Sequence, residues 1–295
     1  MLRYTATPIQ EIFDAVLEKA GVQLLVKRED LNHPYVSGNK WWKLKYNLKL
    51  AKEENHQTIL TFGGAYSNHI FATAAAAHEV GFKSIGIIRG EKQVPLNSTL
   101  AFAKDHDMLL HFVPREDYRK KTDNDFVEAL HDRLGNFFLI PEGGTNALAV
   151  QGCNEFGASL LNYDFHHLIL PVGTGGTIAG IVSGLPAHKK IMGISVLKGG
   201  EFLEMDIQAL LGVKYPHSAV WTINTNYHFG GYAKYTPELL SFINNFKAKH
   251  GIPIEYVYTG KMFAAIFDLV RKGSFSRGDS ILAIHTGGLQ NNIMS

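Results

Sequence analysis

The apolar positions of this chain come in short, nearly uninterrupted runs separated by stretches of helical period. Ile59-Leu60-Thr61-Phe62 reads as a strand, followed by an alanine-rich helix over 68–80. The segments 83–89, 137–140, 167–172, 190–197 and 280–285 read as five more strands. Residues 123–134 and 238–249 read as amphipathic helices with structural roles. Strands without polar alternation, spaced by helices, predict an α/β fold whose parallel sheets are covered on both faces. Four of the strands end in glycine-bearing loops: Gly63-Gly64, Gly143-Gly144, Gly173-Thr174-Gly175-Gly176 and Thr286-Gly287-Gly288. Ligands in such folds sit in the crevice beyond the carboxyl ends of the strands, where all four loops fall.

Composition narrows the function classes. The 295 residues are 45% hydrophobic and 19% charged, an ordinary globular balance, and the net charge of +2 argues against a nucleic-acid partner. Cys153 is the only cysteine, so no intramolecular disulfide can form and a reducing compartment is expected. Met1 to Ala15 lacks a basic region followed by an apolar one, which argues against a signal peptide. No apolar stretch approaches the ~18 residues that a membrane span needs. A soluble, cytoplasmic protein is expected.

The Gly173 loop is strand, glycine turn, then helix start. Backbone amides there face outward beside the positive end of a helix dipole, which suits an anion, most naturally a phosphate. A P-loop would place Gly-Lys-Ser/Thr after the turn, whereas Thr177-Ile178 follow Gly176. The dinucleotide fingerprint has its third glycine elsewhere and an acid about 20 positions on, and no acid lies between Lys190 and Gly200. A single phosphate monoester fits better than either. In Gly63-Gly64-Ala65-Tyr66-Ser67-Asn68-His69, Ser67 and Asn68 stand at a helix start and on this segment alone read first as an N-cap, with a binding role as the alternative. Lys40, in Ser37-Gly38-Asn39-Lys40, is delivered by a small turn to the start of an amphipathic segment.

Together these segments resemble the 1-aminocyclopropane-1-carboxylate deaminase / D-cysteine desulfhydrase family, pyridoxal-phosphate enzymes of the tryptophan-synthase-β fold type. Lys27-Arg28-Glu29-Asp30-Leu31, Ser37 to Lys40, the Gly63 loop and the Gly173 loop occur in family order, and the resemblance runs from Thr7 to Gly288. It implies two open, twisted, mostly parallel sheets flanked by helices, with pyridoxal 5′-phosphate in the cleft between two domains. The larger domain would combine 1–42 and 152–295, and the smaller would be 43–151. Lys40 matches the lysine that holds the cofactor as a Schiff base, and Asn68 the residue beside the pyridine 3′-oxygen. Gly173, Thr174, Gly175, Gly176 and Thr177 match the phosphate cradle, and Thr286 the group facing the pyridine nitrogen. Ser67 matches a serine that meets the substrate carboxylate or transfers a proton. Tyr232 and Tyr258 match two active-site tyrosines, with Asn68, His69 and Thr145 also at the substrate. A homodimer acting on a small amino acid is the family expectation, without nucleic acid, membrane or metal.

The two activities of the family differ at few positions. Cyclopropane-opening members typically carry glutamate after the second tyrosine and leucine in the His-x-Gly-Gly loop; this chain has Thr259 and Thr286. Gly143-Gly144-Thr145-Asn146-Ala147-Leu148 also looks like the desulfhydrase branch. A threonine at the ring nitrogen carries no charge and suits eliminations, in which a group on Cβ takes the electrons away. The reading favoured is β-elimination from D-cysteine to pyruvate, ammonia and hydrogen sulfide, with the deaminase or another D-amino-acid lyase as the alternative. Family members usually continue with an apolar-aromatic tail where this chain has Leu289-Gln290-Asn291-Asn292, which bears on substrate more than on cofactor. A phosphate-binding protein without catalysis is the non-enzyme rival. A metal enzyme built on the 14 histidines is another, disfavoured because no zinc-site spacing occurs. His285 reads as a buried strand-end histidine.

Overall fold

The computed structural model describes residues 2–92, 94–212 and 219–291. Its strands are β1 (Ile9–Ile12), β2 (Gln23–Lys27), β3 (Thr58–Gly63), β4 (Lys83–Arg89), β5 (Met108–Val113), β6 (Phe138–Ile140), β7 (His167–Val172), β8 (Lys190–Ser195), β9 (Val220–Asn224) and β10 (Ser280–Ile284). Its helices are α1 (Ala15–Ala20), α2 (Asn39–Glu53), α3 (Asn68–Val80), α4 (Ser98–Asp105), α5 (Arg115–Tyr118), α6 (Asn124–Leu134), α7 (Ala147–Ser159), α8 (Gly176–Gly184), α9 (Leu203–Leu211), α10 (Pro237–His250) and α11 (Thr259–Arg271). One sheet has the order β1-β2-β10-β7-β8-β9 and the other β5-β4-β3-β6. Every pair is parallel except β1 with β2.

Both faces of the sheets are covered, as the apolar runs require. Along β10, Leu282 and Ile284 enter one core cluster while Ile281 and Ala283 enter another on the opposite side. In the smaller sheet Ile59 packs with the first cluster and Leu60 with a separate one. The first cluster joins Ile59 and Ile140 of the four-stranded sheet to Leu168 and Leu282 of the six-stranded sheet, with Trp42 of α2 and Phe156 of α7 between them. These two rings stack with centroids 5.1 Å apart.

The six strands expected from the sequence are present. The expected 190–197 strand stops at Ser195, whose hydroxyl accepts a hydrogen bond from the Leu197 amide (3.2 Å) and turns the chain out of the sheet. Four further strands, β1, β2, β5 and β9, are additional to these. Gln23-Leu24-Leu25-Val26-Lys27 becomes β2 because it is clasped between β1 and β10, and its flanking charges are buried rather than exposed. Helices α7 and α8 meet at contact distance: a Cβ on Gly180 would lie 2.2 Å from the Cys153 Cβ. That approach brings the start of α8, and with it the Gly173 loop, against α2.

Candidate active site

The turn that presents Lys40 is built by the charged motif upstream of it. Gly38 has φ +69° and ψ −142°, a conformation costly for any side-chain-bearing residue. Its amide donates to Glu29 O and to Asn32 Oδ1, both at 2.9 Å, and its carbonyl accepts from Asn32 Nδ2 at 3.0 Å. The fully buried Glu29 carboxylate accepts from Trp42 Nε1 (2.7 Å) and Asn32 Nδ2 (3.0 Å), while Arg28 forks onto Asp30 at 2.9 and 2.8 Å. The Lys27–Leu31 motif is thus a frame for the turn. Asn32 is a positioning residue that the sequence reading missed; an asparagine six residues before a glycine gives no local signal.

A cavity of about 510 Å³, within the usual size range of ligand sites, opens at the carboxyl ends of strands from both sheets. Lys40, Ser67, Asn68, His69, Gly173, Thr174, Gly175, Thr177, Tyr232, Tyr258 and Thr286 line it. Gly176 and Thr145 stand behind this wall. The Thr145 hydroxyl is taken up by Thr174 Oγ1 (2.6 Å) and Lys43 Nζ (2.8 Å), so it supports the cradle where a substrate contact was expected.

Lys43 is the main residue the sequence did not disclose. It lies three residues after Lys40, hence on the same helical face, and is 1% exposed. Its amine donates to Gly143 O (2.6 Å) and Thr145 Oγ1 (2.8 Å); the Lys40 amine stands 3.4 Å from the same Gly143 carbonyl. Burial pushes the Lys40 amine down to about 8. Burial, and then the Lys40 charge, hold Lys43 well below the usual lysine value. Lys40 thus presents its amine to the cavity. The nearby Cys153 thiol is buried and pushed up to about 11, inert as a nucleophile.

The Gly173 loop faces these amines. Gly175 (φ +75°) is the N-cap of α8 and offers no side chain to cap its first turn. A Cβ on Gly176 would lie 3.1 Å from Lys43 Nζ and 2.9 Å from Thr145 Cγ2, so only glycine leaves the cradle open. Asn39 Nδ2 donates to Thr177 Oγ1 (2.8 Å), tying the start of α2 to the start of α8. Uncapped amides, helix dipole and the Lys43 amine converge, as a phosphate monoester requires.

The other wall comes from the start of α3 and from two loops. Ser67 is the N-cap of α3, accepting from His69 N (3.2 Å) and Ile70 N (3.3 Å), and it also lines the cavity. Asn68 receives a hydrogen bond from Gln290 of the tail, which brings Leu289-Gln290-Asn291 to the site. Both nitrogens of the buried His69 meet threonines: Nε2 stands 2.7 Å from Thr61 Oγ1 and Nδ1 3.5 Å from Thr73 Oγ1. Because the Thr61 hydroxyl donates to Ile140 O (2.7 Å), His69 Nε2 must be the donor to Thr61. Burial, with Lys40 and Lys43 nearby, keeps this ring neutral.

Tyr232 and Tyr258 close the cavity with rings 6.0 Å apart at 74°. Burial first, and then Tyr232, push the Tyr258 hydroxyl well above its ordinary value; burial also raises Tyr232. Both hold their protons at neutral pH. The fully buried Glu255 places Tyr258 by accepting from the amides of Val257 (2.6 Å), Tyr258 (2.8 Å) and Thr259 (2.8 Å). The Thr259 hydroxyl turns inward, 3.2 Å from Glu255 Oε1, away from the cavity. Lys261 holds the Tyr232 loop through His228 O (2.8 Å) and Gly231 O (2.7 Å). His285 is buried at the end of β10, its Nε2 donating to Pro253 O (2.7 Å) while Nδ1 accepts from Gly287 N (3.2 Å).

The sequence profile of the pyridoxal-phosphate dependent enzymes matches residues 1–287. The chain belongs to that family. A Pyrococcus horikoshii protein provisionally named 1-aminocyclopropane-1-carboxylate deaminase is 31% identical over 297 residues, 96% of this chain and 89% of the relative. The Arabidopsis thaliana bifunctional D-cysteine desulfhydrase/1-aminocyclopropane-1-carboxylate deaminase, mitochondrial, is 31% identical over 292 residues, 91% of this chain and 73% of the relative. A crystal structure of a 1-aminocyclopropane-1-carboxylate (ACC) deaminase homologue superposes with a TM-score of 0.85 at 29% identity, covering 98% of this chain and 91% of that one. The protein is thus a pyridoxal-phosphate enzyme of the deaminase and desulfhydrase group.

The residues present fit the cofactor. The cradle that a Cβ at Gly176 would fill, the uncapped start of α8 and the Lys43 amine suit its phosphate, and the depressed Lys40 amine suits its aldehyde. Replacing Lys43 with methionine keeps the volume and removes the amine donor. Cofactor affinity in Lys43→Met is expected to fall roughly 10- to 100-fold by equilibrium dialysis. Unchanged affinity would place the phosphate elsewhere.

Proposed function

We propose that this enzyme eliminates the β-substituent of a small D-amino acid, D-cysteine first, releasing pyruvate, ammonia and hydrogen sulfide. The observation that carries the reading is the turn at Tyr258-Thr259: the tyrosine faces the cavity as a held proton, and the following residue offers no acid to it. Pyridoxal phosphate, when bound, supplies the sink for electrons released at the substrate Cα. The start of α8 and Lys43 would hold its phosphate, and the uncharged Thr286 would meet its ring without adding charge. Lys40, neutral above about pH 8, takes the Cα proton. Tyr258 or Tyr232 gives a proton to the departing sulfur. Ser67 and Asn68 meet the substrate carboxylate at the start of α3, and His69, with both nitrogens occupied, walls the site.

The residues 43–151 are proposed as the smaller domain, closing over the cofactor held by 1–42 and 152–295 and excluding water during elimination. A cytoplasmic homodimer is proposed on the family expectation. No helix among the described residues is long and apolar enough to cross a membrane.

The test is a side-by-side product assay on the holoenzyme: pyruvate from D-cysteine and β-chloro-D-alanine, and 2-oxobutanoate from 1-aminocyclopropane-1-carboxylate. Pyruvate formation is expected to dominate. Turnover of the cyclopropane substrate alone would assign the protein to the deaminase activity.

A further inference from the structure

Among the described residues, the cavity-lining Arg89 forms no ion pair. Arg89 ends β4, at the carboxyl edge of the smaller sheet, and lines the cavity. Its neighbour Ile88 is in register with Gly63, which places Arg89 beside the Gly63-Gly64 turn leading into α3. Nη2 would be 3.4 Å from a Cβ on Gly64, so the guanidinium lies over this turn. Its Cζ lies over the Tyr118 ring, 5.7 Å from the ring centre. Among the described residues its side chain has no ion pair.

Glu142, an acid that also lines the cavity, is already engaged. Glu142 accepts from the Tyr118 hydroxyl (2.9 Å) and pairs with Lys121 (3.4 Å). Lys40 and Lys43 also line the cavity, with their amines beside the Gly143 carbonyl. A guanidinium stays charged at any physiological pH and presents donors in a planar fork suited to a carboxylate, phosphate or similar oxyanion. Held against a ring face, it keeps that fork available to the cavity.

We propose that Arg89 is a specificity-determining residue that selects substrates carrying negative charge on the β-substituent. The inference rests on the elimination reading above, in which the α-carboxylate lies at Ser67 and Asn68 and the β-substituent extends past it toward the smaller sheet. In the elimination, the Cα proton passes to Lys40 and the electron pair it leaves forms the Cα=Cβ bond. The bond from Cβ to the substituent breaks, and the substituent departs with that bonding pair. Arg89 meets the charge both before and after departure. D-Cysteine is the smallest such substrate, as its thiolate, with an ordinary thiol pKa of about 8.5. Phosphate esters and oxidised sulfur substituents meet the fork more fully.

The experiment uses holoenzyme and two near-isosteric ligands with no leaving group of this kind, D-aspartate and D-asparagine, titrated by the cofactor's absorption change or by calorimetry. The native protein is expected to prefer D-aspartate by about tenfold or more, the strength of one charge-assisted contact. Arg89→Gln is expected to abolish the preference and Arg89→Lys to keep part of it. In turnover, the KM of O-phospho-D-serine is expected to rise more steeply than that of β-chloro-D-alanine in Arg89→Gln. No preference in the native protein, a preference that survives Arg89→Gln, or equal weakening of both ligands would overturn the proposal. Equal weakening would assign Arg89 to the shared α-carboxylate. A D-aspartate preference lost in Arg89→Gln, without turnover of any substrate, would support Arg89 as the selector and overturn elimination.

Discussion

Lys40→Ala is expected to lose turnover by a factor on the order of 10⁴ to 10⁶, as when a nucleophile that acts with its neighbours is removed. The yellow absorption that borohydride bleaches in the native holoenzyme should disappear with it. Lys43 is three residues away but does not take over, because its amine is held by Gly143 O and Thr145 Oγ1. The same lysine sets a pH dependence. Burial brings its amine down to about 8, so it is protonated below that pH and neutral above. The rate at which apoenzyme takes up pyridoxal phosphate should rise about tenfold per pH unit below 8 and level off above it. An unburied lysine would keep gaining to about pH 10.4. A visible band unchanged in Lys40→Ala, or uptake still rising at pH 10, would remove Lys40 from its role.

Gly38→Ala is expected to be the most damaging single methyl in the site. The added Cβ would stand 1.9 Å from Thr286 O and 2.7 Å from Gly287 N, both backbone atoms that cannot swing aside. The residue must also keep φ near +69°, which costs an alanine roughly 1–2 kcal/mol before any clash. Separating the two turns adds a further ~1–3 kcal/mol. A loss of about 2–5 kcal/mol should show in urea unfolding of the apoenzyme. Activity should fall further than stability alone explains, because the turns that carry Lys40 and Thr286 are pushed apart together. Gly81→Ala is the control: it also has positive φ, but nothing lies within 4 Å of its Cβ position and it is far from the cavity in sequence and in lining. Equal losses in both variants would show that backbone conformation, not contact with Thr286, is the cause.

The strands legible in the sequence were those whose own residues carry the signal. Ile59–Phe62 and Ser280–Ile284 are apolar on successive positions because both faces are covered, and the glycines after them mark where the chain must turn. Gln23–Lys27 was obscure because it runs directly into Arg28, Glu29 and Asp30, charges that are buried here, Arg28 paired with Asp30 and Glu29 with Lys27. Such pairing leaves no trace in a hydropathy pattern. Ser67 was legible as a cap, and it is one; that it also lines the cavity depends on where α3 is aimed.

By itself the sequence determined the α/β class, the glycine turns at the strand ends and the lysine behind its Ser-Gly-Asn turn, since backbone geometry writes these locally. Tertiary structure decided the rest. Lys43 became a partner of the phosphate cradle only because α7 and α8 meet through glycine and bring Thr145 and Gly176 to its amine. Thr145 meets Thr174 and Lys43 for the same reason. Arg89 was one more charge at the end of a strand until its neighbours were known. Whether a buried or cavity-facing charge has a counter-charge is a property of side chains far apart in sequence, and only their packing together shows it.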